Sequence, residues 1–341
     1  MSRKHWIVLL LLVSGIYCKK DNLASFSGFN KPLNFPEPVY HFSTNEITKG
    51  GFELGRKLFY DPILSRDNSI SCASCHIQSS AFTHHGHDVS HGIDDLLGTR
   101  NAPAIQNLAW NPTYMWDGGV FDLDLQPIAP ITNHVEMDET LDNVIQKLRR
   151  SSTYPQLFNK AYGSSYITTA TFLKALSQFM VICISANSKY DKGKRGDAGV
   201  SFSPEEQAGY TTFVQKCGSC HPEPLFTDNT FRNNGIAIGA NNDQGRFLVT
   251  SRTEDQYKFK VPTLRNVELT APYMHDGRFY TLAVVLDHYN AHVSNTPNLD
   301  PLLINGSSLG IPLSDVEKTN IIAFLKTLTD RDFISNKLLS E

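Results

Sequence analysis

The sequence has little that would embed it in a bilayer, draw it to nucleic acid or staple it with disulfides. Beyond residues 7–13, no apolar run approaches the roughly 20 residues of a membrane-spanning helix. Charge is modest and balanced: 31 Lys and Arg against 34 Asp and Glu leave a net charge of −3, which offers no basic face to a polyanion. Strand signals are short and few, and nothing reads as a βαβ unit. Cysteine is also sparse, with six in 341 residues. Four of them form two pairs, while Cys18 and Cys183 stand alone. A zinc centre wants four converging ligands, so each pair would have to recruit distant histidines. A thioredoxin-like dithiol belongs beside a βαβ pattern, which is missing.

The two pairs are Cys72-Ala73-Ser74-Cys75-His76 and Cys217-Gly218-Ser219-Cys220-His221, about 145 residues apart. Cys-x-x-Cys-His is the attachment signature of a c-type haem. The thiols form thioethers to the porphyrin vinyls, and the adjacent histidine ligates iron from one face. Two copies imply two covalently bound haem c groups and a redox protein. The motif alone does not separate electron carriage from chemistry at the iron.

The first residues fit that reading. Arg3, Lys4 and His5 precede the apolar residues 7–13, which are too few to span a bilayer, and small and polar residues follow. This is the pattern of an export signal, and haem attachment takes place outside the cytoplasm, so a periplasmic location is expected. Ser14-Gly15-Ile16-Tyr17-Cys18 resembles a bacterial lipoprotein cleavage box, although Tyr17 stands where a small residue is usual. On that reading residues 1–18 are a lipoprotein-like signal and Cys18 carries the lipid anchor. Residues 19–40, rich in Lys, Asn, Ser and Pro, read as a tether. Roughly 320 residues then remain, enough for two ordinary domains.

The repeat extends past the cysteines. His76 is followed by Ala81-Phe82-Thr83, and His221 by Leu225-Phe226-Thr227. Arg100-Asn101 precedes Tyr114-Met115-Trp116-Asp117-Gly118, and Arg265-Asn266 precedes Tyr273-Met274-His275-Asp276-Gly277. The matching order predicts two homologous domains, residues 41–190 and 200–335, with one haem each. The hydrophilic residues 189–199 are the natural boundary. Ser43 with Glu46, Ser203 with Glu206, and Ser314 with Glu317 read as capping boxes that open helices. Residues 141–148 and 172–181 look helical, and Ile321, Phe324, Leu325 and Leu328 share one helical face. The expected fold is mainly α: two tandem cytochrome-c-like domains joined and decorated by long loops.

These motifs resemble the bacterial di-haem cytochrome c peroxidase family, which includes MauG-type enzymes that oxidise protein residues. The likeness runs from about residue 54 to residue 326. It implies that peroxide reacts at the N-terminal haem, with His76 as proximal ligand. Across that haem the family places a glutamine and a glutamate ten residues apart with a proline between, matched here by Gln126, Pro130 and Glu136. Glu136 would take a proton from one peroxide oxygen and return it to the other. Read without the family, Glu136 is a negative charge ahead of a helix starting near Leu141.

Trp116 matches the tryptophan set between the haems. Asn101, Thr270 and Pro272 match a calcium site built from one asparagine side chain and two backbone carbonyls, an oxygen set suited to a hard cation. His221 would ligate the C-terminal, electron-transfer haem. Its opposite ligand is methionine in the simple peroxidases, but the corresponding position here is Tyr289, as in MauG-type enzymes; Met274, His288 and His292 are the alternatives. An anionic oxygen ligand favours oxidised iron, whereas methionine raises the potential. His91 matches a histidine that caps the N-terminal haem of oxidised peroxidases and leaves on reduction, a cap that MauG-type pockets lack. The implied partners are hydrogen peroxide, a small c-type cytochrome or cupredoxin as electron donor, and for a MauG-like activity a protein substrate. Homodimers are common in the family, although no segment marks a dimer surface. No nucleic acid is expected.

Overall fold

The computed structural model describes residues 26–341 and is mainly helical. The export signal, the cleavage box with Cys18 and the start of the expected tether lie outside the described residues. In the first half, α1 (Lys49–Tyr60) leads to the single-turn α2 (Cys72–Cys75). A long loop then precedes α3 (Ile128–Thr132), α4 (Leu141–Arg150), α5 (Tyr154–Tyr162) and α6 (Thr169–Ile182). The connecting α7 (Lys189–Arg195) leads into α8 (Pro204–Lys216), which runs directly into the second cysteine pair. α9 (Phe247–Thr250), α10 (Leu282–Ala291), α11 (Asp315–Lys326) and α12 (Arg331–Ile334) complete the chain. Strands are confined to two antiparallel ribbons, β1 (Phe231–Arg232) with β2 (Phe259–Lys260), and β3 (Ile304–Asn305) with β4 (Ser308–Leu309).

The same packing device occurs twice. α1 crosses α6 at Gly55, where a Cβ would lie 1.8 Å from the Ala175 carbonyl oxygen; α8 crosses α11 at Gly209, where it would lie 1.8 Å from the Asn320 carbonyl oxygen. Only hydrogen at Cα lets the backbones meet so closely. Each crossing carries an aromatic core. Phe59 and Phe179 lie 4.8 Å apart between ring centres in the first, Phe213 and Phe324 5.1 Å apart in the second. These rings are fully or nearly fully buried, each removing apolar surface worth about 1.5–3 kcal/mol from water.

The expected boxes at Ser203 and Ser314 cap α8 and α11. The box at Ser43 does not open α1, whose cap is Thr48, with Gly51 N donating to Thr48 Oγ1 at 3.0 Å. Neighbouring Asn45 is buried and bonded to Tyr40, Asp124 and the Lys174 carbonyl, which holds that stretch in a turn. The later part of the expected tether is packed instead of free: Phe35 is buried, edge-on to Trp110, and Trp110 Nε1 donates to Pro36 O at 2.8 Å. The aromatics among its polar residues account for the difference.

The hydrophilic boundary stretch is helical as well. Ser188 and Asp191 cap α7 reciprocally, and the Asp191 carboxylate pairs with the buried Arg265 guanidinium through two 2.9 Å bonds. The C-terminal tail also crosses the expected division, since Phe333 and Leu339 join the core of the first half.

The repeat holds locally, with one shift of register. Tyr114 N donates to Val120 O at 2.8 Å and Tyr273 N to Phe279 O at 2.6 Å; Met115 and Met274 both have left-handed backbones, φ 68° and 75°. The residue equivalent to Asn266 is Asn107, not Asn101. Both begin a 3-10 turn in left-handed conformation, and Tyr114 and Tyr273 each donate back to the first carbonyl of that turn. Asn101 instead occupies a loop insertion of the first half, facing the second.

Candidate active site

The two cysteine pairs have closely similar surroundings. A helical turn brings each pair onto one face, with His76 N bonded to Cys72 O at 2.9 Å and His221 N to Cys217 O at 3.0 Å. His76 Nδ1 lies 2.9 Å from Phe82 O, and His221 Nδ1 lies 3.0 Å from Phe226 O. Both phenylalanines adopt left-handed backbone, φ 59° and 54°, which is rare for a bulky residue and marks a constrained site. Donation from Nδ1 fixes the tautomer and leaves the Nε2 lone pair free for a metal. Burial keeps both rings neutral, lowering His76 to about 4 and His221 in the same direction. Burial also raises the thiols, Cys72 and Cys217 to about 12. A reactive dithiol needs the opposite shift.

One cavity of about 1330 Å³ reaches from Cys72, Cys75 and His76 to Cys217, Cys220 and His221. Pockets for a single drug-sized ligand span about 300–1,000 Å³, so the space is larger than one such ligand needs. Gln126, Pro130 and Glu136 line the first-half end of this cavity. Glu136 is held from two sides: Ile93 N donates to its carbonyl at 2.8 Å, and Ser90 Oγ donates to Oε1 at 3.4 Å. Burial pushes its carboxyl above the ordinary carboxylate value, with the Ser90 hydroxyl and the Asn133 side chain pulling part of the way back. Among the described residues Gln126 Nε2 has the soft Met115 sulfur as its partner, at 3.7 Å.

Similarity to known proteins agrees with this arrangement. A family model described as di-haem cytochrome c peroxidase matches residues 49–199. The methylamine utilization protein MauG of Methylorubrum extorquens is 34% identical over 86% of this chain and 82% of its own length. The cytochrome c551 peroxidase of Nitrosomonas europaea is also 34% identical, over 81% of this chain and 79% of its own. A crystal structure of a MauG-like protein associated with microbial copper homeostasis superposes with a TM-score of 0.83, at 31% identity over 92% of this chain and 98% of that one. The chain belongs to the di-haem cytochrome c peroxidase and MauG family. It is therefore a di-haem, peroxidase-type oxidoreductase, and the family implies two haem c groups.

The remaining family positions are distributed unequally. Trp116 lines the cavity where the halves meet, its Nε1 donating to Asn101 O at 2.8 Å. Asn101, Thr270 and Pro272 all reach the cavity wall. Asn101 uses Nδ2 on the Asp88 carbonyl at 3.0 Å, which leaves Oδ1 available to a cation. At the second-half end, Tyr289 on α10 and Met274 both line the cavity, and burial raises the Tyr289 hydroxyl to about 12. Asn234 lies between them, its Nδ2 3.4 Å from Met274 Sδ.

His288 and His292 are not on that wall: His288 Nε2 is engaged with Asn234 O at 3.0 Å, and His292 Nδ1 with Asp287 O at 3.0 Å. His91 is not brought to the cavity either. Its Nε2 lies 3.3 Å from Asp95 Oδ1, and only its backbone carbonyl faces the site, accepting from Cys75 Sγ at 3.6 Å.

Several participants escaped the sequence reading. Ser90, Asn234 and Lys260 belong to no motif and become visible only through their partners. His275 could have been found, because it occupies the repeat position of Trp116. It stacks on Phe259 with ring centres 3.7 Å apart, while Asn101 N donates to its carbonyl at 2.7 Å. Arg100 ties the halves beside it, bonded to both Asp117 and Asp243.

Proposed function

We propose that this chain reduces hydrogen peroxide to water at the N-terminal end of the cavity. Two electrons would arrive one at a time from a small c-type cytochrome or cupredoxin through the C-terminal end. Each half is then a cytochrome-c-like unit holding one haem c, on Cys72, Cys75 and His76 and on Cys217, Cys220 and His221. The fit rests on paired thiols beside a neutral imidazole whose Nε2 is free, repeated in both halves. When bound, the N-terminal haem supplies an iron that accepts peroxide and electrons that break its O–O bond.

The observation that carries the reading is Glu136, a carboxyl of raised proton affinity on the wall of the cavity that His76 also lines. It takes the proton from one peroxide oxygen and returns it to the other, which leaves as water. Gln126, whose amide meets a weakly accepting thioether, orients the peroxide. Trp116, fixed by Asn101, stands where an electron passes between the halves. A calcium ion on Asn101 Oδ1 and the Thr270 and Pro272 carbonyls would brace this junction, since it draws ligands from both halves. The periplasm is the expected compartment, with Cys18 as the candidate lipid attachment point.

The test is Glu136→Gln. Haem content should be unchanged, while peroxide turnover with a reduced c-type cytochrome falls by about 10²–10⁴. Unaltered turnover removes Glu136 from the mechanism.

Tyr289 supports a second reading, peroxide-dependent oxidation of tryptophan or tyrosine on a partner protein. A tyrosine ligand would disfavour the reduced haem that a donor-driven cycle needs, and relatives named MauG match most of the chain. Steady turnover with reduced cytochrome favours the first reading. Peroxide consumption only when a partner protein is modified favours the second.

A further inference from the structure

Lys260, at the end of β2, grips the tryptophan loop of the other half at two points. Its backbone N–H donates to Trp116 O at 2.7 Å, and its Nζ donates to Thr113 O at 3.0 Å. The side chain lines the cavity instead of reaching solvent as lysines usually do. Among the described residues no carboxylate pairs with this ammonium, and two of its three hydrogens have no partner. Burial alone lowers its pKa to about 8. Lys260 is partly withdrawn from water without a counter-charge, which is unfavourable for an ammonium.

The Thr113 hydroxyl, on the residue whose carbonyl Lys260 holds, is buried and has no hydrogen-bond partner among the described residues, so its O–H is also an unused donor. A cation with unused hydrogens beside an unused hydroxyl donor points to an anionic occupant. Porphyrins carry such groups, the two propionate carboxylates at one edge.

We propose that Lys260 receives a propionate carboxylate of a bound haem and so ties that haem edge to the loop bearing Trp116. The proposal rests on the reading that the cavity holds two haem c groups. It makes Lys260 a positioning residue for the inter-haem tryptophan and gives it an electrostatic effect on one haem. Ferric haem has one more positive charge than ferrous haem, so a cation beside the propionate favours the reduced form. The neighbouring carboxylate in turn keeps the lysine protonated.

The test is potentiometry of the intact di-haem protein as wild type, Lys260→Met and Lys260→Arg, with haem content measured separately from pigment absorbance. Lys260→Met should carry both haems and shift one of them about tenfold toward the oxidised form at fixed potential, about 59 mV for a one-electron couple. The other haem should not move. Lys260→Arg, which retains charge and reach, should keep both wild-type potentials. Unchanged potentials in a fully loaded Lys260→Met protein overturn the proposal. If Lys260→Met does not load haem, the arginine variant decides: normal loading and potentials support the pairing, whereas failure to load or a shifted potential makes Lys260 a packing residue only. A wild type without haem defeats the functional reading itself, so the two failures are distinguishable.

Discussion

A group that takes a proton early and returns it late works best when its proton affinity approaches neutrality. Burial moves Glu136 that way, and Ser90 restrains it through a 3.4 Å hydrogen bond to Oε1. The sign follows directly. Removing the hydroxyl removes a stabiliser of the carboxylate, so Ser90→Ala should raise the proton affinity of Glu136 further. The acid limb of the kcat/KM–pH profile should move to higher pH, with activity on that limb falling about two- to tenfold, the worth of one net hydrogen bond. An unmoved limb would mean that Ser90 does not engage the carboxylate during turnover. At this scale the sequence is legible only where residue types form a rare pattern. The cysteine pairs, their histidines and the Gln-Pro-Glu spacing do so, and all reach one cavity. The His91 ring lies beside Asp95, a direction that spacing along a loop does not fix. Ser90 and Lys260 are commonplace residues whose meaning lies wholly in their partners.

Elements were readable where periodicity marked them, as in α4 and α6, where a capping box did, as in α8, or where both did, as in α11. They were misread where a short-range signal competed with a buried contact. Ser43 and Glu46 have the spacing of a cap, but the bonds of Asn45 to Tyr40 and Asp124 outweigh it, and α1 waits for Thr48. α7 looked like a linker because six of its seven residues are charged or glycine, yet Tyr190 and Asp191 turn inward. Gly209 decides how α8 meets α11. Adding a methyl there puts Cβ 1.8 Å from the Asn320 carbonyl, a backbone atom that cannot swing aside. Gly209→Ala should therefore push the helices apart and lower stability by about 1–3 kcal/mol, as overpacking commonly does, measurable by urea unfolding. Stability equal to wild type would show that the crossing is looser than its geometry implies.

Across the whole molecule, duplication was legible from motif order, but the way the halves are sewn together was not. The linking contacts join residues far apart in sequence: Asn266 Nδ2 to Gln106 Oε1, Gln106 Nε2 to Arg265 O, and Arg265 to Asp191. Burial alone would raise the Asp191 carboxyl, but the Arg265 guanidinium holds it below the ordinary carboxylate value. Its contribution is accordingly present above the unfolded carboxylate pKa and lost as pH falls through the lowered one. Matching motifs in the two halves thus sit in a frame that only the three-dimensional structure reveals.

The tail carries this furthest. Phe333, near the end of the chain, packs on Phe82 with ring centres 5.6 Å apart, and Gln78 Nε2 donates to the carbonyls of Phe333 and Asn336 at 3.3 and 2.9 Å. Phe82 is the residue whose carbonyl orients His76, whereas His221 depends on Phe226 in the other core. Phe333→Ala should cost about 3–5 kcal/mol, as deletion of a buried aromatic ring does. It should also disturb the optical and EPR signature of the N-terminal haem while leaving the C-terminal haem as it was. If both signatures shift together, the tail acts on the whole molecule; if neither shifts while stability falls, the tail serves only as a lid on the first core. A change confined to one haem would show that the last residues of the chain help to hold the first iron ligand in place.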